Sequence, residues 1–204
     1  MLNISLARSA DSVLAADTLV VFADQNLTFS AQAKQVLDPA ADYIQRAVKA
    51  SGFAGKMGQC VDLIAPQGLD LSRLILVGTG NGIDLGVNGQ AIRLGGTIAG
   101  HLEALACKAA TILLDDGMCQ AFGATGFSDL VAGLRLRSYT WSRRTDLAPA
   151  ALQAITLAVA APEAFADQMI YGTALSDGVA IARDLVNEAP NHLGTIEFAE
   201  AARQ

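Results

Sequence analysis

Six stretches of the chain carry an extended, buried pattern. Thr18 to Ala23 is the clearest: a run of apolar, mostly β-branched or aromatic residues bounded by Asp17 and Asp24, the signature of a strand covered on both faces. Asn3 to Ala7 alternates more weakly. Gln59 to Ala65, Arg73 to Val77, Ala109 to Leu114 and Leu152 to Ala160 complete the set. Between them the period changes to the helical one. Asp38-Pro39 reads as an N-cap followed by proline at the first helical position, with the helix running to about Ser51. Gly86 to Leu105 reads as a long helix, its Gly95, Gly96 and Gly100 allowing close packing on a sheet. Ser128 to Ser142 is a third helix, and Pro162 opens a fourth. Apolar strands alternating with helices predict an α/β fold in three α/β/α layers. Strands that follow one another without a helix, as at Gln59 and Arg73, predict a mixed central sheet.

The last helix carries Phe165, Met169, Leu175, Val179, Ala182 and Val186 at spacings of three, four and six, a stripe expected to dock on the preceding domain. Asn187 and Pro190 break it. Thr195 is a plausible N-cap for a further helix, with Glu197 in its first turn. That helix has under three turns before Gln204. The one candidate boundary lies near Ala161-Pro162, which divides a domain over residues 1–161 from a segment over 162–204 that opens a last helix and stops within it.

Composition narrows the class. Hydrophobic residues are 52% and charged residues 17% of the 204, ample for a large core. A net charge of −6 argues against nucleic acid and anionic membrane as partners. Cys60, Cys107 and Cys119 form no metal pattern and no even disulfide framework, which fits a reduced, cytoplasmic setting. No basic region opens the chain, and the apolar stretch from Leu147 to Ala166 is interrupted by Pro149, Gln153, Pro162 and Glu163. Neither reads as a signal peptide or a membrane span.

Candidate chemistry is sparse. Gly78-Thr-Gly-Asn-Gly82 follows a strand and precedes a helix, but Ile83 stands where the dinucleotide fingerprint needs its spacing, and Asp84 would repel phosphate. A tight turn is the stronger reading. Asp115-Asp116, at a strand end, reads as a solvated loop. His101 and His192, the two histidines, have no partner at ligand spacing. Ser128 and Ser176 lack a nucleophile elbow. Arg135, Arg137, Arg143 and Arg144 lie near Tyr139 and Trp141, a cluster better suited to contacting a neighbouring domain than to binding phosphate. The cysteines read as core. The residues alone supply no catalytic, cofactor-binding or metal-binding residue.

One stretch carries a resemblance. Ala182-Arg183-Asp184-Leu185-Val186-Asn187, then Pro190-Asn191-x-Leu193, then Thr195-x-Glu197-Phe198-Ala199 is similar to the interdomain segment of the leucyl aminopeptidase family, the two-metal cytosol aminopeptidases. Gly52-Phe-x-Gly55-Lys56-x-Gly58, Leu74 to Gly78, and Gly133 to Tyr139 with Trp141 resemble, in the family's order, parts of its non-catalytic N-terminal domain. The resemblance implies a macro-domain-like fold. It implies a full-length enzyme that releases N-terminal amino acids from peptides, with two divalent metals, Zn or Mn, in a C-terminal catalytic domain, and homo-oligomeric assembly. The family's Asn-Thr-Asp-Ala-Glu-Gly-Arg string does not occur here, so no catalytic residue is carried over and the chain alone is expected to be inactive. The alternatives are a macro-like module that binds a nucleotide such as ADP-ribose, and a small nucleotide-dependent enzyme.

Overall fold

The computed structural model describes residues 2–81, 85–87, 89–141, 151–188, 192–201 and 203. The expectations for Gly82 to Asp84, Arg143, Arg144, Pro190 and Asn191 lie outside these. Six strands form one sheet: β1 (Asn3–Arg8), β2 (Thr18–Ala23), β3 (Cys60–Ile64), β4 (Arg73–Gly78), β5 (Ala109–Leu113) and β6 (Ala154–Val159). Their order is β1-β6-β5-β2-β4-β3, all parallel except β3, which runs antiparallel to β4 at the edge. The expected mixed sheet is present.

The pleat divides the apolar residues of each central strand between two cores. Val20, Phe22, Ile75, Val77 and Ile112 face one cluster, which includes residues of α4 (Gln90–Ala104) and α5 (Asp116–Arg137). Leu19, Val21, Leu74, Leu76 and Leu113 face the other, with α2 (Ala31–Leu37) and α3 (Ala41–Ser51). A single helical turn, α1 (Ser9–Ser12), joins β1 to β2. Helix α6 (Ala166–Asn187) lies along α5, and α7 (Thr195–Ala201) follows it. The three-layer α/β/α class follows.

Several boundaries differ from expectation, each for a local reason. Asp38 does not cap a helix. It starts a 3₁₀ turn, Asp38–Ala40, between α2 and α3, and the cap is Ser30, whose hydroxyl accepts from the Ala33 N–H at 3.1 Å. Helix α4 begins at Gln90, not Gly86. Its Gly95 packs on a helix, not on the sheet: a Cβ there would lie 2.5 Å from the Leu130 carbonyl oxygen of α5. Helix α5 begins at Asp116, twelve residues before Ser128, and reverses locally at Gly123 (φ 62°, ψ −158°), a backbone state open to glycine. In α7, Thr195 is the first helical residue, and Glu197 accepts from the Gly194 N–H at 3.0 Å. The apolar stripe assigned to α6 also fails in part. Leu175, Ala182 and Val186 are exposed, and the buried positions are Gly172, Ser176 and Ala180.

Candidate functional site

In an open parallel sheet, ligands bind beyond the carboxyl ends of the strands. Here that edge is formed by the residues after β2, β4 and β5. A cavity of about 180 Å³ lies among Asp24, Thr28, Ser30, Thr79 and Asp115. Its two carboxylates are already engaged. Asp24 accepts from the N–H groups of Asn26 at 2.9 Å and Thr28 at 2.8 Å. Asp115 is buried and caps α5, accepting from the Met118 N–H at 3.0 Å. The expected solvated loop at Asp115 is therefore a helix cap that pairs a carboxylate with the positive end of the dipole. Two carboxylates on this cavity disfavour an anion.

The glycine turn beside it is not a phosphate cradle. Such a cradle needs backbone N–H groups pointing outward. The amide of Gly78 donates to Gln59 O at 2.8 Å, that of Thr79 to Ala23 O at 2.9 Å, and that of Gly80 to Gly55 O at 2.9 Å. The glycines serve close backbone packing. A Cβ on Gly78 would lie 2.1 Å from Lys56 O, and one on Gly55, at φ 60°, would lie 2.0 Å from Asp24 O. A larger cavity of about 560 Å³ adjoins the turn, with Lys56 and Arg93 among its lining residues.

The remaining sequence candidates are dispersed. Ser128 is buried and donates to Thr125 O at 2.7 Å, as a helical serine does to the preceding turn. Burial pushes the Cys60 thiol up to about 11, and burial with Asp115 and Asp116 does the same for Cys119; neither is a reactive thiolate at neutral pH. Among the described residues no group of three or more His, Cys, Asp and Glu is placed to hold a metal ion. They do not fit a two-metal centre.

His101 has a different surrounding. Its Nε2 is buried without a hydrogen-bond partner, as is Oδ1 of Asp62, whose other oxygen pairs with Arg73. Burial holds the imidazole below its usual value; Asp62 opposes this and Arg73 adds to it. The fold therefore favours neutral His101. Its contribution to stability is complete above the unfolded value, about 6.5, and is lost as pH falls through the lower folded value. Urea midpoints should drop on acidification below about 6.5, with a shallower drop in His101→Asn. Equal slopes for both proteins would remove His101 from the account.

The densest polar constellation lies where α6 crosses α5, and it gathers residues that the sequence had left as two separate motifs. The Arg135 side chain, 12% exposed, reaches from α5. Its Nε donates to Ser176 Oγ at 2.7 Å, one terminal nitrogen to Leu2 O at 3.2 Å, and the other to Asp177 Oδ1 at 2.6 Å. Ser176 is fully buried. One helical turn on, Tyr139 donates its hydroxyl proton to Asp184 Oδ1 at 2.6 Å, and Asn187 donates to the phenol oxygen at 3.5 Å. The Arg183 guanidinium lies 5.4 Å from the Tyr139 ring centroid and donates to Leu136 O at 3.3 Å, a cation–π contact. At the other end, Phe127 and Phe165 stack with centroids 4.6 Å apart. Between them Gly172 lets the helices close, since a Cβ there would lie 2.5 Å from Ser128 O. This clasp holds α6 against α5. Arg183, Asp184 and Asn187 of the interdomain-like motif thus meet Tyr139 of the aromatic segment. Sequence spacing alone did not pair them, because 44 to 48 positions separate the partners.

Residues 19–145 match the model of the cytosol aminopeptidase family, N-terminal domain. The chain belongs to the cytosol aminopeptidase family. Among relatives, the probable cytosol aminopeptidase of Rhodopseudomonas palustris (strain ATCC BAA-98 / CGA009) is 37% identical over 192 residues, 92% of this chain and 38% of that protein. The probable cytosol aminopeptidase of Bradyrhizobium sp. (strain BTAi1 / ATCC BAA-1182) is 40% identical over 188 residues, 90% of this chain and 37% of that protein. The chain thus spans less than two fifths of the length of either relative. A tomato leucine aminopeptidase mutant shares the fold with a TM-score of 0.77 at 22% identity, covering 100% of this chain and 42% of that one. The bottromycin maturation enzyme BotP in complex with Mn gives 0.63 at 18% identity, covering 92% and 35%. Among the described residues no helix is long and apolar enough to cross a membrane.

Proposed function

We propose that this chain is the N-terminal accessory part of a two-metal leucyl aminopeptidase that releases N-terminal amino acids from peptides in the cytoplasm. Residues 1–161 are its macro-like domain. Residues 162–204 are its linker helix and the start of the catalytic domain, which holds two divalent ions, Zn or Mn. The partners are that catalytic domain, further copies of the enzyme, and peptides reached through the catalytic domain. The observation that carries this reading is the family match to an N-terminal domain in a chain spanning under two fifths of its relatives. The clasp gives the domain a physical task, because a linker helix pinned at both ends by α5 transmits a fixed orientation to whatever follows it. A nucleotide-binding module finds no support in the glycine turn, whose Gly78, Thr79 and Gly80 amides are consumed internally.

Reading the gene past the Gln204 codon tests the proposal. The frame is expected to continue for about 300 codons, the length of one or two further domains, and to encode an acid-rich Asn-Thr-Asp-Ala-Glu-Gly-Arg string. A stop codon within the first few positions would overturn it.

A further inference from the structure

A cavity of about 750 Å³ lies against α2 and α3, on the side of the sheet opposite α4 and α5. Its floor is Leu37, Ile44, Val48 and Phe53, buried residues of the second core. Leu27 and Phe29 form its wall. A concave apolar site of about 300–1,000 Å³ with a few polar groups is the form that small-molecule sites take. The wall is held under strain. Leu27 has φ 56°, in the left-handed region that a leucine rarely occupies. Its N–H donates to Asp24 O at 3.0 Å, and the Asp24 carboxylate accepts from the N–H groups of Asn26 and Thr28 on either side. The turn thus fixes a side chain that is 38% exposed beside the cavity. Strained residues of this kind cluster at ligand clamps.

The rim is charged. Lys34 and Lys49 are two of the four lysines in the chain. Both line the cavity, and among the described residues neither side chain has an ion-pair or hydrogen-bond partner. Asp38 is the one acid that lines it. Two lysines against one acid leave a single positive charge, the complement of one carboxylate. We propose that this cavity binds an amphiphilic monocarboxylate. Its aliphatic chain lies on Leu37, Ile44, Val48 and Phe53 beneath Leu27, and its carboxylate meets Lys34 and Lys49. An amine head would be repelled by that rim, and a neutral head would gain nothing from it. The inference does not depend on the enzymatic reading, because the cavity is built from described residues of this chain alone.

Calorimetric titration of the 204-residue chain with straight-chain carboxylates tests it. Saturable one-to-one binding is expected, with affinity rising about fourfold per methylene from hexanoate to decanoate. Octanoate should bind about fivefold tighter than 1-octanol, the gain that exposed charge pairs supply. Replacing both Lys34→Gln and Lys49→Gln, at exposed positions where folding is retained, should bring octanoate down to the level of octanol. Leu27→Gly is the second arm. Glycine relieves the left-handed strain, so the thermal midpoint should hold or rise while decanoate affinity falls at least about fivefold. No saturable decanoate binding up to about 1 mM would overturn the proposal. Octanoate and octanol binding alike to the unmodified chain would remove the carboxylate from it and overturn it too. Decanoate affinity unchanged in both variants would place the binding elsewhere and overturn it equally.

Discussion

Replacing Arg135 with alanine is expected to destabilise the chain by about 2–4 kcal/mol and to release α6 from α5. The side chain is 12% exposed and serves acceptors on two other elements, β1's approach at Leu2 and α6 at Ser176 and Asp177. Truncation leaves Ser176, fully buried, and the Leu2 carbonyl without this donor, and an unmet buried polar group costs about 1–3 kcal/mol. Removing one member of a buried ion pair reaches about 3–5 kcal/mol. Asp177 is 47% exposed and regains water, which holds the total below that ceiling. Arg135→Lys keeps the charge but not the fork, so it should recover only part of the loss. Denaturant titration gives the magnitude. Hydrogen exchange gives the location, with faster exchange expected over residues 172–185 and little change in β2 and β4. A loss under about 0.5 kcal/mol, the range of ordinary surface substitutions, would show that the clasp does not hold the helix.

Gly133→Ala is expected to be as severe, although alanine is the better helix former by about 1 kcal/mol. The added Cβ would lie 2.1 Å from Ile92 O, 2.8 Å from Ile92 C and 2.9 Å from Ile92 Cα. All three are backbone atoms, so no side chain can rotate away, and α4 must move off α5. That disturbs the interface between two helices whose residues Leu94, Ile98, Leu130 and Leu134 are buried in one core. Overpacking of this kind costs about 1–3 kcal/mol and sometimes more; with backbone atoms on the other side the upper end applies, and after the propensity gain of about 1 kcal/mol a net loss of about 2 kcal/mol is expected. Gly96→Ala is the control. Its Cβ would have only Gly133 O, at 3.9 Å, so propensity decides and stability should rise by up to about 1 kcal/mol. If both variants behaved alike, the close approach of α4 and α5 would not be what places glycine at 133.

The strands were legible because each is a short apolar run with polar ends. β2, β4 and β5 lie within a residue or so of the expected spans. Helix starts were harder to read. Ser30 and Asp115 cap helices whose first turns carry no regular apolar period, so periodicity placed the α5 start twelve residues late and missed α2. The stripe on α6 misled for a different reason. Periodicity identifies an apolar face but not what it faces, and here Leu175 and Val186 point away from the domain while Ser176 points into it. Of the clasp, both motifs were visible, but their pairing depends on the α5–α6 crossing. Arg135 read as one of a surface cluster, because nothing local marks an arginine as buried.

The most direct test of the central claim, that the chemistry of this family member lies outside these residues, is an aminopeptidase assay on the 204-residue chain. A leucyl chromogenic substrate is supplied with Zn²⁺ or Mn²⁺ in excess. Two-metal hydrolysis needs several ligands converging on ions about 3.5–4 Å apart, and the described residues offer no such group. The account predicts no metal-dependent turnover above the protein-free rate. Turnover that co-purifies with the chain, persists after removal of contaminating peptidases and returns on adding metal to chelator-treated protein would contradict it.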